Sequence, residues 1–246
     1  MSSRFHTYLS DTWNRDKVMA IVQFLPMALE GPVRNAGSEG LAASLGNLSK
    51  MADAYRAVTR LSLIFNALSP KTLESLAKPK EDAIVWRLEQ ISHAFHIGFC
   101  LNEHTAVLAG HGVLKSELTR FGGIAVVCWL YTLILGIVRQ MYLLMKHNPN
   151  CPCKALVPAS AKDEKKVVPY THEECKRAVV NLVKMGCFAV FALSCLPEGK
   201  PQLLRDVSGP LVPLHTLIKT IAPNKLHLGD SVRGLLAFVA SVCDFY

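Results

Sequence analysis

The stretch FGGIAVVCWLYTLILGIV, from Phe121 to Val138, contains eighteen residues without a charged side chain and is the strongest indication of the fold. As an α-helix rising 1.5 Å per residue it extends about 27 Å, close to the ~30 Å hydrocarbon core of a bilayer. A helix of this length on a water-soluble protein normally carries a polar face, and this one has none. We therefore predict a transmembrane helix, with Phe121, Trp129, Leu135 and Val138 among its residues. The alternative is a core helix of a soluble helical scaffold.

The composition agrees with a membrane protein. Half of the residues are hydrophobic and 19% are charged, whereas about 25% are charged in typical soluble domains. The net charge of +8 is scattered along the chain, which argues against nucleic-acid recognition because that requires a basic stripe. Basic residues next to a hydrophobic span suit anionic lipid headgroups, where each contributes about 1 kcal/mol.

Apolar residues recur at helical spacing along nearly the whole chain, which predicts an all-α fold. Asp82 and Thr171 are the expected N-caps of two of the helices, the second with Glu174 in capping-box spacing. The apolar run at 185–196 and the one at 234–243 are each too short to span a bilayer alone. We therefore predict a membrane-associated helical bundle with amphipathic N-terminal helices and one or two hydrophobic spans. Its segments are an amphipathic membrane-interface region (1–112), a transmembrane helix (113–147), a flexible linker (148–170) and a C-terminal hydrophobic helical region (171–246).

The helix predicted from Leu41 to Leu68 is amphipathic. Large apolar side chains fall near one face and basic side chains fall on the opposite side, three to four residues apart. The pattern is typical of a helix that lies in a membrane interface, but packing within a helical bundle requires the same stripe. On the first interpretation, the lipid-binding residues are Lys50, Arg56 and Arg60 on the basic side and Leu45, Leu48, Tyr55 and Phe65 on the apolar side.

No pattern in the sequence indicates catalysis. Phosphate-binding glycine loops, nucleophile elbows and zinc-protease helices are absent from it. His93, His96, Cys100 and Glu103 have helical spacing, but they lack the paired short spacings of zinc modules. We therefore predict no catalytic residue, no metal site and no cofactor.

Several short motifs, taken in their order along the chain, resemble those of the peroxin eleven family. The gamma-type branch of that family is similar at an acidic-His pair, Glu103-His104, and at the two motifs that follow this pair in the chain. The 200–233 stretch departs from the pattern as a long insertion, and divergent glycosomal members of the family are also similar. The motifs are Tyr8-Leu9, Asn14-Arg15-Asp16-Lys17, Gln23-Phe24, Tyr55-Arg56-Ala57-Val58-Thr59-Arg60, Glu103-His104, Leu135-Gly136-Ile137-Val138-Arg139 and Leu196-Pro197-Glu198-Gly199.

The resemblance implies a non-enzymatic protein of the peroxisomal or glycosomal membrane that remodels and elongates the organelle for proliferation and fission. It also implies insertion of amphipathic helices, self-association into a homo-oligomer and recruitment of the organelle fission machinery. The expected partners are therefore an anionic phospholipid membrane, further copies of the chain and fission proteins, with no nucleic acid. The alternative function is a small-solute channel of the peroxisomal membrane, although the predicted span offers no charged side chain to line a pore.

Overall fold

A computed structural model describes residues 10–147, 169–199 and 212–246, and these parts are helical and contain no strand. The all-α prediction is confirmed. Nearly all of the predicted linker, the Tyr8-Leu9 motif and the first part of the 200–233 stretch lie outside the described residues. The helices are α1 (Thr12–Asn35), α2 (Glu39–Arg60), α3 (Leu63–Ala67), α4 (Pro70–Ala77), α5 (Ala83–Gly110), α6 (Phe121–His147), α7 (His172–Cys195), α8 (Val212–Ile221) and α9 (Asp230–Cys243), with a 3₁₀ helix (Ser116–Arg120) before α6.

Both expected N-caps are present. The Asp82 carboxylate accepts hydrogen bonds from the backbone N–H groups of Ile84 and Val85 at the start of α5. Thr171 and Glu174 form a reciprocal capping box at the start of α7. These caps satisfy backbone donors that have no partner within the helix, and they explain why the two helices begin where the sequence predicts.

The segment from Leu41 to Leu68, predicted as one helix, forms two helices in the structure. The first, α2, ends at Arg60, and α3 begins at Leu63. The Thr59 carbonyl accepts a hydrogen bond from the Ser62 hydroxyl, and the Arg60 carbonyl accepts one from His104 Nε2. Side-chain donors that occupy helix carbonyls compete with the regular backbone ladder. One of the two donors comes from α5, so the break depends partly on tertiary contact.

Two helical segments are long and apolar enough to cross a membrane, namely Ser116–His147, which contains α6, and α7. In the most apolar 18 residues of each segment, only 28% and 22% of the residues are buried, respectively. A core helix of a soluble protein would be mostly buried, so this exposure fits lipid better than water. The predicted span lies within α6. The second candidate arises because residues 185–195 are the last part of a helix of 24 residues, about 36 Å long.

The N- and C-terminal parts of the chain share one core. Along the bundle, neighbouring helices follow the order α2, α1, α9, α7, α6 and α5. Phe24 of α1 meets Phe191 of α7 edge to face, with ring centroids 5.3 Å apart, and Trp129 of α6 packs beside them. This aromatic cluster therefore joins the amphipathic N-terminal helices to both candidate spans.

The contact between α9 and α1 is close because it is made of small residues. A Cβ placed at Gly234 would lie 2.4 Å from the backbone nitrogen of Ala28. Ala237 and Ala240, on the same side of α9, are fully buried. Small residues let two helix backbones approach closely. Position 234 therefore requires glycine, because there is no space for a Cβ atom between the two backbones.

We expect replacement of Gly234 by Ala to force α9 away from α1 and to lower the free energy of unfolding by about 1–3 kcal/mol, the usual cost of overpacking. Thermal unfolding of the full chain in detergent would measure the change. Gly40→Ala is the matched control, because a Cβ there meets no atom within 4 Å. Alanine is also the better helix former, so the control should unfold at the same temperature or higher. Equal stability of wild type and Gly234→Ala would contradict the close contact.

Candidate membrane-interface site

The large apolar side chains of α2 point away from the bundle. Met51 is 63% exposed and Val58 is 57% exposed. The residues that α2 buries are small, and they let this helix lie close to α1. We define the outer face of α2 as the stripe of exposed side chains Leu41, Leu48, Met51, Tyr55 and Val58, which recur at helical spacing.

The structure places the predicted apolar lipid contacts in three different positions. Leu48 and Tyr55 belong to the outer face of α2, whereas Leu45 is half-buried at its side. Phe65 lies on α3 and is 76% exposed. Met51 was not predicted as a contact, although its spacing of three from Leu48 is a usable signal. Lipid binding by these residues stays a prediction, and their exposure makes them accessible to a membrane.

Arg56, one of the three predicted headgroup-binding residues, points into the bundle. Its Nε and Nη2 donate to the two carboxylate oxygens of Asp16 on α1, at 3.0 and 3.1 Å. Its Nη1 donates to Gln23 Oε1 at 2.6 Å, and the guanidinium carbon lies 5.3 Å from the centroid of the Phe24 ring. The Arg56 side chain is 11% exposed and that of Asp16 is 16% exposed. A bidentate pair with so little exposure is a strong and geometrically specific contact.

Arg60 extends the same network to α5. Its Nη1 donates to Glu103 Oε1 at 2.7 Å, while its backbone carbonyl accepts from His104 at 3.1 Å. Burial raises the pKa of Glu103, and the Arg60 guanidinium offsets only part of that effect. Asp16 also lies 3.8 Å from Arg60 Nε, so one carboxylate faces both guanidinium groups.

This network unites residues from motifs that lie far apart in the sequence. We define the interhelical charge cluster as Asp16, Gln23, Arg56, Arg60, Glu103 and His104, contributed by α1, α2 and α5. All six belong to motifs that carry the resemblance to the peroxin eleven family. The basic side of α2 is opposite its apolar stripe, as the sequence indicates, but that side faces α1 and α5. Lys50 is exposed, and headgroup binding by the three basic residues stays a prediction.

The predicted span residues lie on different sides of α6. Phe121 packs against a buried cluster around Ile124, and Trp129 contacts three phenylalanines of α5 and α7. Val138 is exposed, and Leu135 lines a cavity of about 380 Å³ between α4, α5 and α6. The helix therefore presents one side to the bundle and another to its surroundings.

Ion pairs join α5 to α6 near the start of α5. Arg139 Nη2 lies 2.9 Å from Glu89, and Lys146 lies 2.6 Å from Asp82. Among the described residues, no group of three His, Cys, Asp or Glu side chains is arranged to hold a metal ion. The two ion pairs connect α5 and its N-cap to the last turns of α6.

We expect Arg60→Met to lower the free energy of unfolding by about 3 kcal/mol, because it leaves the Glu103 carboxylate without its cation. The double variant Arg60→Met/Glu103→Leu removes both charges and should recover most of this loss. Thermal unfolding in detergent checks both variants. The single variant Glu103→Leu completes the comparison. A double variant that loses the sum of the two single effects would show that the two side chains do not interact.

The model of the family described as peroxisomal biogenesis factor 11 (PEX11) matches residues 2–246, essentially the whole chain. Comparisons with curated proteins and with solved structures found no match. The family acts in proliferation of the peroxisomal membrane and is not a known enzyme family. The match confirms the resemblance found in the motifs, and the candidate spans agree with a protein of the peroxisomal membrane. The chain therefore belongs to the peroxisomal biogenesis factor 11 (PEX11) family.

Proposed function

We propose that this protein remodels and elongates the peroxisomal membrane, or the glycosomal membrane where that organelle replaces the peroxisome, by inserting the outer face of α2 into one leaflet. The observation that carries the proposal is the outward orientation of this apolar stripe. Met51 and Val58 are more than half exposed although smaller residues of the same helix are buried. A contiguous apolar surface of this kind is typical of an interaction site and costly to leave in water.

The energetics support a shallow insertion. Full burial of a large aliphatic side chain contributes about 1.5–3 kcal/mol, so five partly exposed side chains supply on the order of 5 kcal/mol. The candidate spans α6 and α7 would hold the protein at the membrane, and insertion then costs little translational entropy. A helix that enters one leaflet to a depth of about 5–10 Å expands that leaflet and favours curvature toward its own side. Lys50, which is exposed on the same helix, would add attraction to anionic headgroups.

Elongation of an organelle requires many such insertions side by side, and we include self-association of the chain in the proposal. Recruitment of the fission machinery follows from the family resemblance and is the final step of the same process. Neither step needs a catalytic residue, because the free energy that bends the membrane comes from the transfer of apolar side chains out of water and from the crowding of inserted helices in one leaflet.

We expect Met51→Glu/Val58→Glu to abolish tubulation of phosphatidylserine-containing liposomes by the reconstituted full chain. Two carboxylates on the outer face of α2 would have to be buried among acyl chains, which strongly opposes insertion. Electron microscopy of the proteoliposomes would show whether tubules form.

The charge-matched control is Ala36→Glu/Ala43→Glu, which adds the same two charges at exposed positions outside the outer face, one just before α2 and one near its start. This control should still form tubules, because it leaves the apolar stripe intact. Tubulation by Met51→Glu/Val58→Glu at the wild-type level would refute insertion of this face.

A further inference from the structure

We propose that the Asp16–Arg56 ion pair sets the rotation of α2 about its own axis, so that its apolar stripe faces the lipid. Arg56 is then a positioning residue inside the protein and does not bind headgroups. This inference rests on the proposed function of α2, since it explains how the inserting face comes to point outward.

Arg56 and the apolar stripe lie on opposite sides of α2. Successive residues of an α-helix are about 100° apart around its axis. Val58 follows Arg56 by two residues and is therefore about 200° away, on the opposite side. A contact that holds Arg56 against α1 consequently holds Val58 away from the bundle. Asp53 and Arg60 lie three and four residues from Arg56, so all three are on the same side of α2. Each of them has a hydrogen-bond partner on another helix.

Apolar packing alone would favour the opposite rotation of α2. An amphipathic helix of a bundle normally buries its large apolar side chains. Here α2 buries Ala42, Gly46 and Ala52 and exposes Met51 and Val58. Rolling the helix would bury more apolar surface, but it would take Arg56 from the Asp16 carboxylate and leave that carboxylate without its bidentate partner. An unpaired charge that stays in the bundle is strongly unfavourable, so the ion pair opposes the roll.

Each nitrogen of the Arg56 guanidinium already has a partner inside the protein. Each of its three nitrogens donates to a side chain of α1, two to Asp16 and one to Gln23. Gln23 in turn donates to Asp53 Oδ1 at 2.8 Å, which adds a second contact between α1 and the same side of α2. A lipid phosphate would have to displace this set of contacts, whereas Lys50 is exposed and needs no such displacement.

A charge exchange tests this inference in the full chain reconstituted into phosphatidylserine vesicles. The variants are Arg56→Asp, Asp16→Arg and the double exchange Asp16→Arg/Arg56→Asp. A photoreactive benzophenone amino acid at position 55, on the outer face of α2, reports crosslinking to lipid, and tubulation is scored in parallel. Each single change should lower lipid crosslinking several-fold, and the double exchange should restore most of it because the opposite charges face each other again.

Ala36→Glu/Ala43→Glu is again the matched control, because it changes the charge of the chain by the same amount as Arg56→Asp, at exposed positions, and leaves the ion pair in place. It should retain lipid crosslinking at position 55. A double exchange that crosslinks no better than Arg56→Asp would overturn the inference and assign Arg56 to the headgroups, since residue 56 stays acidic in both. Wild-type crosslinking by Arg56→Asp would overturn it as well.

Two further outcomes separate this inference from the proposed function. Absence of lipid crosslinking in the wild-type protein itself would refute insertion of α2, whatever the variants do. If the exchanged protein does not fold, the neutral variants Asp16→Asn, Arg56→Gln and their combination replace it. The combination should then crosslink no worse than either single variant, and independent additive losses would overturn the role of the pair.

Discussion

A charge that is removed from water must have a partner, and this constraint organises the N-terminal half of the protein. Arg56 and Arg60 lie where α1, α2 and α5 meet, and Asp16 and Glu103 supply the opposite charges. Desolvation is costly for either member of such a pair alone. These ion pairs therefore favour the arrangement of the three helices that brings the four side chains together. The outward direction of the apolar stripe agrees with that arrangement.

The helix α1 connects α2 to the rest of the bundle. On one side it binds α2 through the interhelical charge cluster, and on another it meets α9 across Gly234. Its Phe24 packs on Phe191 of the second candidate span. The helix α2 is thus connected through α1 to both segments that are long enough to cross a bilayer. In the function that we propose, this connection sets the position of α2 relative to the candidate spans.

Several features follow from local sequence and agree with the structure for that reason. The uncharged stretch from Phe121 to Val138 lies within α6, because hydrophobic length alone specifies a candidate span. Asp82 and Thr171 cap their helices, because capping depends on residues two or three positions away. The break after Arg60 was not predicted, since one of the hydrogen bonds that accompany it comes from His104, on another helix.

The sequence by itself determined that α2 has an apolar stripe and a basic side, and that the chain is a helical protein of the membrane with the order of motifs of its family. Only the tertiary structure decided which side of α2 faces outward. Periodicity cannot distinguish these orientations, because a stripe for lipid and a stripe for a protein core have the same spacing. The physical reason for the outcome lies in Asp16 and Glu103, about forty residues from their partners in the chain. Carboxylates at that distance in sequence become neighbours only when the helices have packed.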